Sequence, residues 1–159
     1  MEVEIVRSAR RRKTVEARVV NGVIRVTAPE RMPEEQLRRH VDTLVAKLER
    51  RRLAAEIDVE ARAAALSAEL RLPKPKSIRW VDNQGSRWGS CSPADGAVRI
   101  SSRLARFPRW VVDYVIVHEL AHLSEGGHGP QFWALVDRYP KAERARGYLM
   151  AKGMDEAAD

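Results

Sequence analysis

Trp110-Val111-Val112-Asp113-Tyr114-Val115-Ile116-Val117-His118-Glu119-Leu120-Ala121-His122-Leu123 decides how this chain is read. The stretch is apolar nearly all round, the mark of a helix buried on every side. Inside it, His118 and His122 stand at i and i+4, so both imidazoles share a face and can reach one metal ion. Glu119 follows the first histidine and is placed to take a proton from a metal-activated water. Without a metal, burying a carboxylate and two imidazoles in so apolar a helix is costly. A catalytic zinc wants three protein ligands and one open position. His128 supplies the third, beyond Gly126-Gly127, where the chain can turn back. Three of the four histidines thus fall within eleven residues. The fourth, His40, reads as a surface residue of an earlier helix.

Working outward, Pro108 suits the first turn of the buried helix and the glycine pair ends it. Pro130 opens another helix, packed through Phe132, Trp133, Leu135 and Val136, and a last one spans Ala142–Met150. Upstream, Ser77–Val81 and Ala97–Ser101 alternate as strands, with Asp95-Gly96 as a turn. Ala97–Ser101 is the candidate exposed edge for a substrate peptide. Between Pro33 and Pro73 the chain holds no Gly or Pro and is rich in helix formers. Its two apolar series are out of phase, which predicts two helices with a break near residues 50–58. The first thirty residues alternate as short strands, and Asn21-Gly22 is a strong hairpin signal. The expected organisation is a single domain over 1–159, with N-terminal strands at 1–32, a helical region at 33–72 and a catalytic core at 73–150.

At 159 residues the chain can bury a core without disulfides. No stretch approaches the ~18 apolar residues of a membrane span. The start lacks a signal-peptide pattern and Cys91 is the single cysteine, so the expected location is cytoplasmic. The net charge of +7 is uneven: residues 71–109 hold nine Lys/Arg against two Asp/Glu. An acidic partner fits such a block, whether acidic peptide, nucleotide or nucleic acid. So does simple solubility.

A second cluster, Asn83-Gln84-Gly85-Ser86-Arg87-Trp88-Gly89-Ser90-Cys91-Ser92, precedes the helix. It reads either as a loop whose Trp88 packs on the core, or as a wall of the site with Arg87 and Trp88 binding substrate. Cys91 as a fourth zinc ligand would close the site and make the metal structural. Metzincins share the interval between the three histidines, but they place Gly where this chain has Glu125.

Three blocks carry a resemblance: Ser86 through Ser92, Asp113 through Leu123, and Gly127-His128-Gly129-Pro130-Gln131-Phe132-Trp133. Together with the opening stretch Arg12-Lys13 through Ala28-Pro29, they resemble the YgjP-like metal-dependent hydrolases, relatives of the SprT-like zincins. The resemblance implies an α+β, zincin-like fold: an N-terminal β-hairpin, a long helical region, and a small antiparallel sheet packed on the metal-binding helix. It implies one zinc ion on His118, His122 and His128, with Glu119 as general base of a metallopeptidase-like hydrolase. Two features depart from the family. Gly129 stands where Ser is frequent, removing a helix cap, and the helical region is shorter than in the longer members. Two other readings fit the same residues: a nucleotide or phosphate hydrolase on the same metal, and a nucleic-acid-associated module with a structural zinc.

Overall fold

The computed structural model describes residues 1–83 and 85–153. The chain divides into two compact units, Met1–Arg52 and the remainder from Leu53. The division falls inside a helix.

In the first unit, β1 (Val3–Ser8), β2 (Glu16–Val20) and β3 (Val23–Pro29) form a sheet of order β1-β3-β2. β2 and β3 pair antiparallel, and β1 pairs parallel to β3. Asn21 and Gly22 both hold positive φ, 50° and 79°, as a two-residue hairpin of this hand requires. Alternation turns Ile24, Val26 and Ala28 inward, and they bury completely. Arg7 fixes the chain leaving β3: its Nη1 donates to the carbonyls of Pro29 (3.0 Å) and Met32 (2.8 Å). The helix α1 (Glu34–Ala55) follows. Arg11, Arg12 and Lys13 of the basic run border an open concavity of about 800 Å³, and Arg11 pairs with Glu16.

The second unit contains α2 (Val59–Leu70), β4 (Ser77–Val81), β5 (Gly89–Ser92), β6 (Ala97–Ser101), a short 3₁₀ turn (Ser102–Arg106), α3 (Arg109–His122), α4 (Pro130–Val136) and α5 (Ala142–Ala151). The two-helix reading holds, with the break at 56–58. Asp58 caps α2, accepting from the Ala61 amide at 3.0 Å. At the other end Arg71 adopts a left-handed conformation. Arg138 Nη1 donates to the exposed carbonyls of Leu70 (3.2 Å) and Arg71 (2.8 Å).

The second sheet has the order β4-β6-β5, with β4 parallel and β5 antiparallel to β6. It is therefore mixed, where a small antiparallel sheet was expected. The expected edge, Ala97–Ser101, is instead the central strand, bonded on both sides. Its near-continuous burial at Val98, Ile100 and Ser101 explains why. β5, a Gly/Ser-rich stretch with no alternating apolar signal, is an edge. The architecture is α+β as expected. Within the second unit α3 packs against α2, α4, α5 and the sheet β4-β6-β5. Arg62 of α2 grips Asp113 of α3 through two bonds, 3.0 and 2.7 Å.

Candidate metal centre

α3 carries the chemistry because its helical pitch aligns His118 and His122, and its burial removes them from bulk water. His118 and Glu119 are 3% and 2% exposed. His122 Nε2 lies 3.2 Å from His118 Nε2 and 3.1 Å from His128 Nε2. His122 Nδ1 sits 2.9 Å from the Glu125 carbonyl. That carbonyl accepts the Nδ1 proton, which leaves Nε2 with a bare lone pair aimed at the other two rings. The ligand atoms of the three rings all lie within 4.8 Å of one another, close enough to share one cation. Two nitrogens bonded to one tetrahedral zinc at about 2.0–2.1 Å stand roughly 3.3 Å apart. The donor set therefore fits a zinc ion. Among the described residues, the histidine trio is the convergent group of possible ligands, and neither Cys91 nor Glu119 belongs to it.

His128 reaches the group from the exposed turn between α3 and α4. Gly129 is the N-cap of α4 with no side-chain cap bond, and Pro130 takes the first helical turn. The missing hydroxyl anticipated from Gly129 is thus missing at a helix start. α4 returns two aromatic rings to the site. Phe132 stacks on His122 (centroids 4.3 Å, planes 22° apart) and meets His118 edge-on at 4.9 Å. Trp133 stacks on His128 at 5.9 Å and 28°, and the Arg146 guanidinium covers Trp133 at 4.1 Å. From the sequence these rings read only as helix packing. Here they fix the planes of the imidazoles.

A cleft of about 230 Å³ opens beside the histidines, lined by Arg87, Ser90, Cys91, Glu119, His122 and His128 among others. Arg87 is exposed at its border, and its carbonyl accepts from Arg103 Nη2 at 3.0 Å. Trp88 goes elsewhere. It is buried in the core, edge-on to Phe107 at 5.3 Å and under Arg103 at 5.0 Å. Its indole Nε1 has no hydrogen-bond partner among the described residues. Of the two readings the sequence allowed, Trp88 therefore takes the one in which its ring packs on the core, and it does not line the cleft. Burial, then the Glu119 carboxylate, pushes the Cys91 thiol up to about 11, so it stays protonated at neutral pH.

Gly89 was not singled out from the sequence. A Cβ there would stand 3.0 Å from Glu119 Cγ, 3.0 Å from Glu119 Oε1 and 3.1 Å from the Arg99 carbonyl. The glycine is the space in which the carboxylate sits. A glycine preceding a short Ser/Cys run was the available signal, but only the fold shows what it faces.

The model of the YgjP-like metallopeptidase domain matches residues 39–152. The chain belongs to the YgjP-like metallopeptidase family. Two solved structures share its fold. One is the zymogen of the metallopeptidase abylysin from Pyrococcus abyssi, 21% identical, with a TM-score of 0.53 over 60% of this chain and 94% of that one. The other is the zymogen of the metallopeptidase jannalysin from Methanocaldococcus jannaschii, 17% identical, with a TM-score of 0.53 over 62% and 99%. No curated protein matches this chain. As a member of the YgjP-like family it is a metal-dependent hydrolase, and among the described residues no helix is long and apolar enough to cross a membrane.

Proposed function

We propose that this YgjP-like protein is a zinc-dependent peptidase in which His118, His122 and His128 hold the metal and Glu119 is the general base. The observation that carries the reading is the convergence of three Nε2 atoms beside a buried carboxylate. Bound there, zinc supplies a Lewis acid for the peptide carbonyl and lowers the pKa of a coordinated water to about 7. The chain's own residues do the rest. The Glu119 carboxylate accepts the proton of the attacking water and returns it to the amine nitrogen that leaves. Gly89 leaves the carboxylate room, and Phe132 and Trp133 hold the imidazole planes. His122 keeps its tautomer through the Glu125 carbonyl.

The edge strand β5 lines the cleft and offers backbone groups to an extended peptide by strand addition. This supports a peptide substrate, and replaces Ala97–Ser101 as the docking edge. Cys91 lies outside the ligand trio, which supports an open position over a closed, structural zinc. The deciding experiment exposes zinc-loaded protein to a peptide mixture and reads new termini by mass spectrometry. Glu119→Gln should retain zinc and lose turnover by a factor on the order of 100 or more. Equal cleavage by the variant would overturn the assignment of the base.

A further inference from the structure

Charge in the second unit is segregated. Residues 71–109 hold nine Lys/Arg against two Asp/Glu, whereas 53–70 hold one against four and 110–159 five against eight. The three strands within the basic block contain no carboxylate. Val98 and Ile100 take the buried face of the sheet, so alternation puts Arg99 on the other. The register sets Arg79 of β4 beside Arg99, and Ser90 of β5 opposite it. Like charges on paired strand positions cost stability. Among the described residues, neither arginine has an ion pair to offset this cost. Arg99 Nε donates to Ser90 Oγ at 2.9 Å and Nη2 to Ser92 Oγ at 2.7 Å. These hydroxyls orient the guanidinium without neutralising it, and they draw its charge across the sheet towards the free edge of β5. Arg79 is exposed and makes no ion pair among the described residues. The face adjoins the cleft, because Ser90 and Arg87 line it.

The geometry points to a subsite for acidic side chains: Arg99, with Arg87 at the cleft, receives Asp or Glu residues of the polypeptide whose scissile bond enters the cleft, and Arg79 on the far strand adds its charge to the same face. This rests on the peptidase reading above and narrows its substrate class. A peptide added to the β5 edge turns every second side chain to this face, directly towards the Arg99 guanidinium. β4, β5 and β6 present no aromatic ring on this face, so a single-stranded nucleic acid would find nothing to stack on. That favours a peptide carboxylate over a nucleotide as the countercharge.

The test measures binding without cleavage. Zinc-loaded Glu119→Gln protein is titrated, by fluorescence anisotropy, with two labelled peptides of equal length. One carries Asp and Glu at alternate positions, the other Ser and Gln. The acidic peptide should bind roughly 10-fold tighter at about 50 mM salt, with the preference shrinking towards unity at about 400 mM as screening shortens. Arg99→Gln keeps hydrogen-bonding capacity but removes the charge, and should abolish most of the preference. Arg79→Glu, at an exposed position, tests the same charge if Arg99→Gln folds poorly. Equal affinity for the two peptides, or a preference untouched by both variants, would overturn the subsite. Tighter binding of a homopolymeric single-stranded DNA than of the acidic peptide would overturn its assignment to polypeptide. Failure of the parent to cleave any peptide would refute the peptidase reading while leaving the measured charge preference standing.

Discussion

Gly89→Ala tests how the carboxylate of Glu119, the proposed general base, is positioned. The added methyl would meet Glu119 Cγ and Oε1 at 3.0 Å and the Arg99 carbonyl at 3.1 Å. Non-bonded carbons settle at about 3.5–4.0 Å, so something must retreat by roughly 0.5–1 Å. The Arg99 carbonyl belongs to the central strand β6, bonded on both sides, and yields least. Glu119, 2% exposed, is the group that moves. A displacement of about 1 Å at a reacting group costs up to ~100-fold in rate. Overpacking of this kind costs about 1–3 kcal/mol, a fall in Tm of about 2–4 °C per kcal/mol for a chain of this size. Turnover on a quenched fluorescent peptide pool, zinc content by elemental analysis and Tm by calorimetry read the three effects. The expected outcome is zinc retained, Tm lowered by a few degrees and turnover down about 10–100-fold. Parent-level turnover with zinc in place would refute the idea that Gly89 provides the space that sets Glu119.

Three further outcomes follow from neighbouring features. Gly129 has an extended backbone, a Cβ added there would meet nothing within 4 Å, and the residue caps α4 without a side-chain bond. Gly129→Ser should therefore stabilise the protein by about 0.5–1 kcal/mol in urea unfolding; no gain would mean that the start of α4 needs no cap. Trp88→Ala should cost about 3–5 kcal/mol while Arg87→Ala, at an exposed position, changes stability by less than about 0.5 kcal/mol yet slows turnover; the reverse pattern would exchange their roles. Burial, then Asp113, pushes Tyr139 from 10.0 up to about 12, and its hydroxyl donates to the Trp110 carbonyl at 2.8 Å. A raised folded pKa favours the protonated fold, so this contribution is complete below about pH 10 and is lost as pH climbs towards 12. Urea midpoints from pH 8 to 11.5 should therefore fall more steeply for the parent than for Tyr139→Phe, and parallel curves would contradict the assignment.

Helices and turns with local chemistry were legible in the sequence. α3 declared itself by all-round apolarity, α4 by Pro130, and the N-terminal hairpin by Asn21-Gly22. Of the proposed metal ligands, His118 and His122 were legible because a helix fixes the i, i+4 relation without reference to anything distant. β5 was not legible. Gly89-Ser90-Cys91-Ser92 has no alternating apolar signal, and it becomes a strand through pairing with β6. The choice of Ala97–Ser101 as an edge failed for the same reason: strand order depends on long-range pairing, which local alternation does not encode. Trp88 and Phe132 exchanged importance. Both were visible as aromatic residues, but which ring meets the histidines follows from how α4 folds back after His128, a tertiary fact. Gly89 looked like one small residue in a Gly/Ser-rich run until the fold set it against Glu119.

The most direct test of the account is the zinc K-edge X-ray absorption spectrum of the zinc-loaded protein at neutral pH. Three imidazole nitrogens and one further light atom, all at about 2.0–2.1 Å with no sulfur in the shell, are predicted. A sulfur scatterer at about 2.3 Å, the signature of Cys91 completing a closed site, or a shell with fewer than three imidazoles, would contradict it.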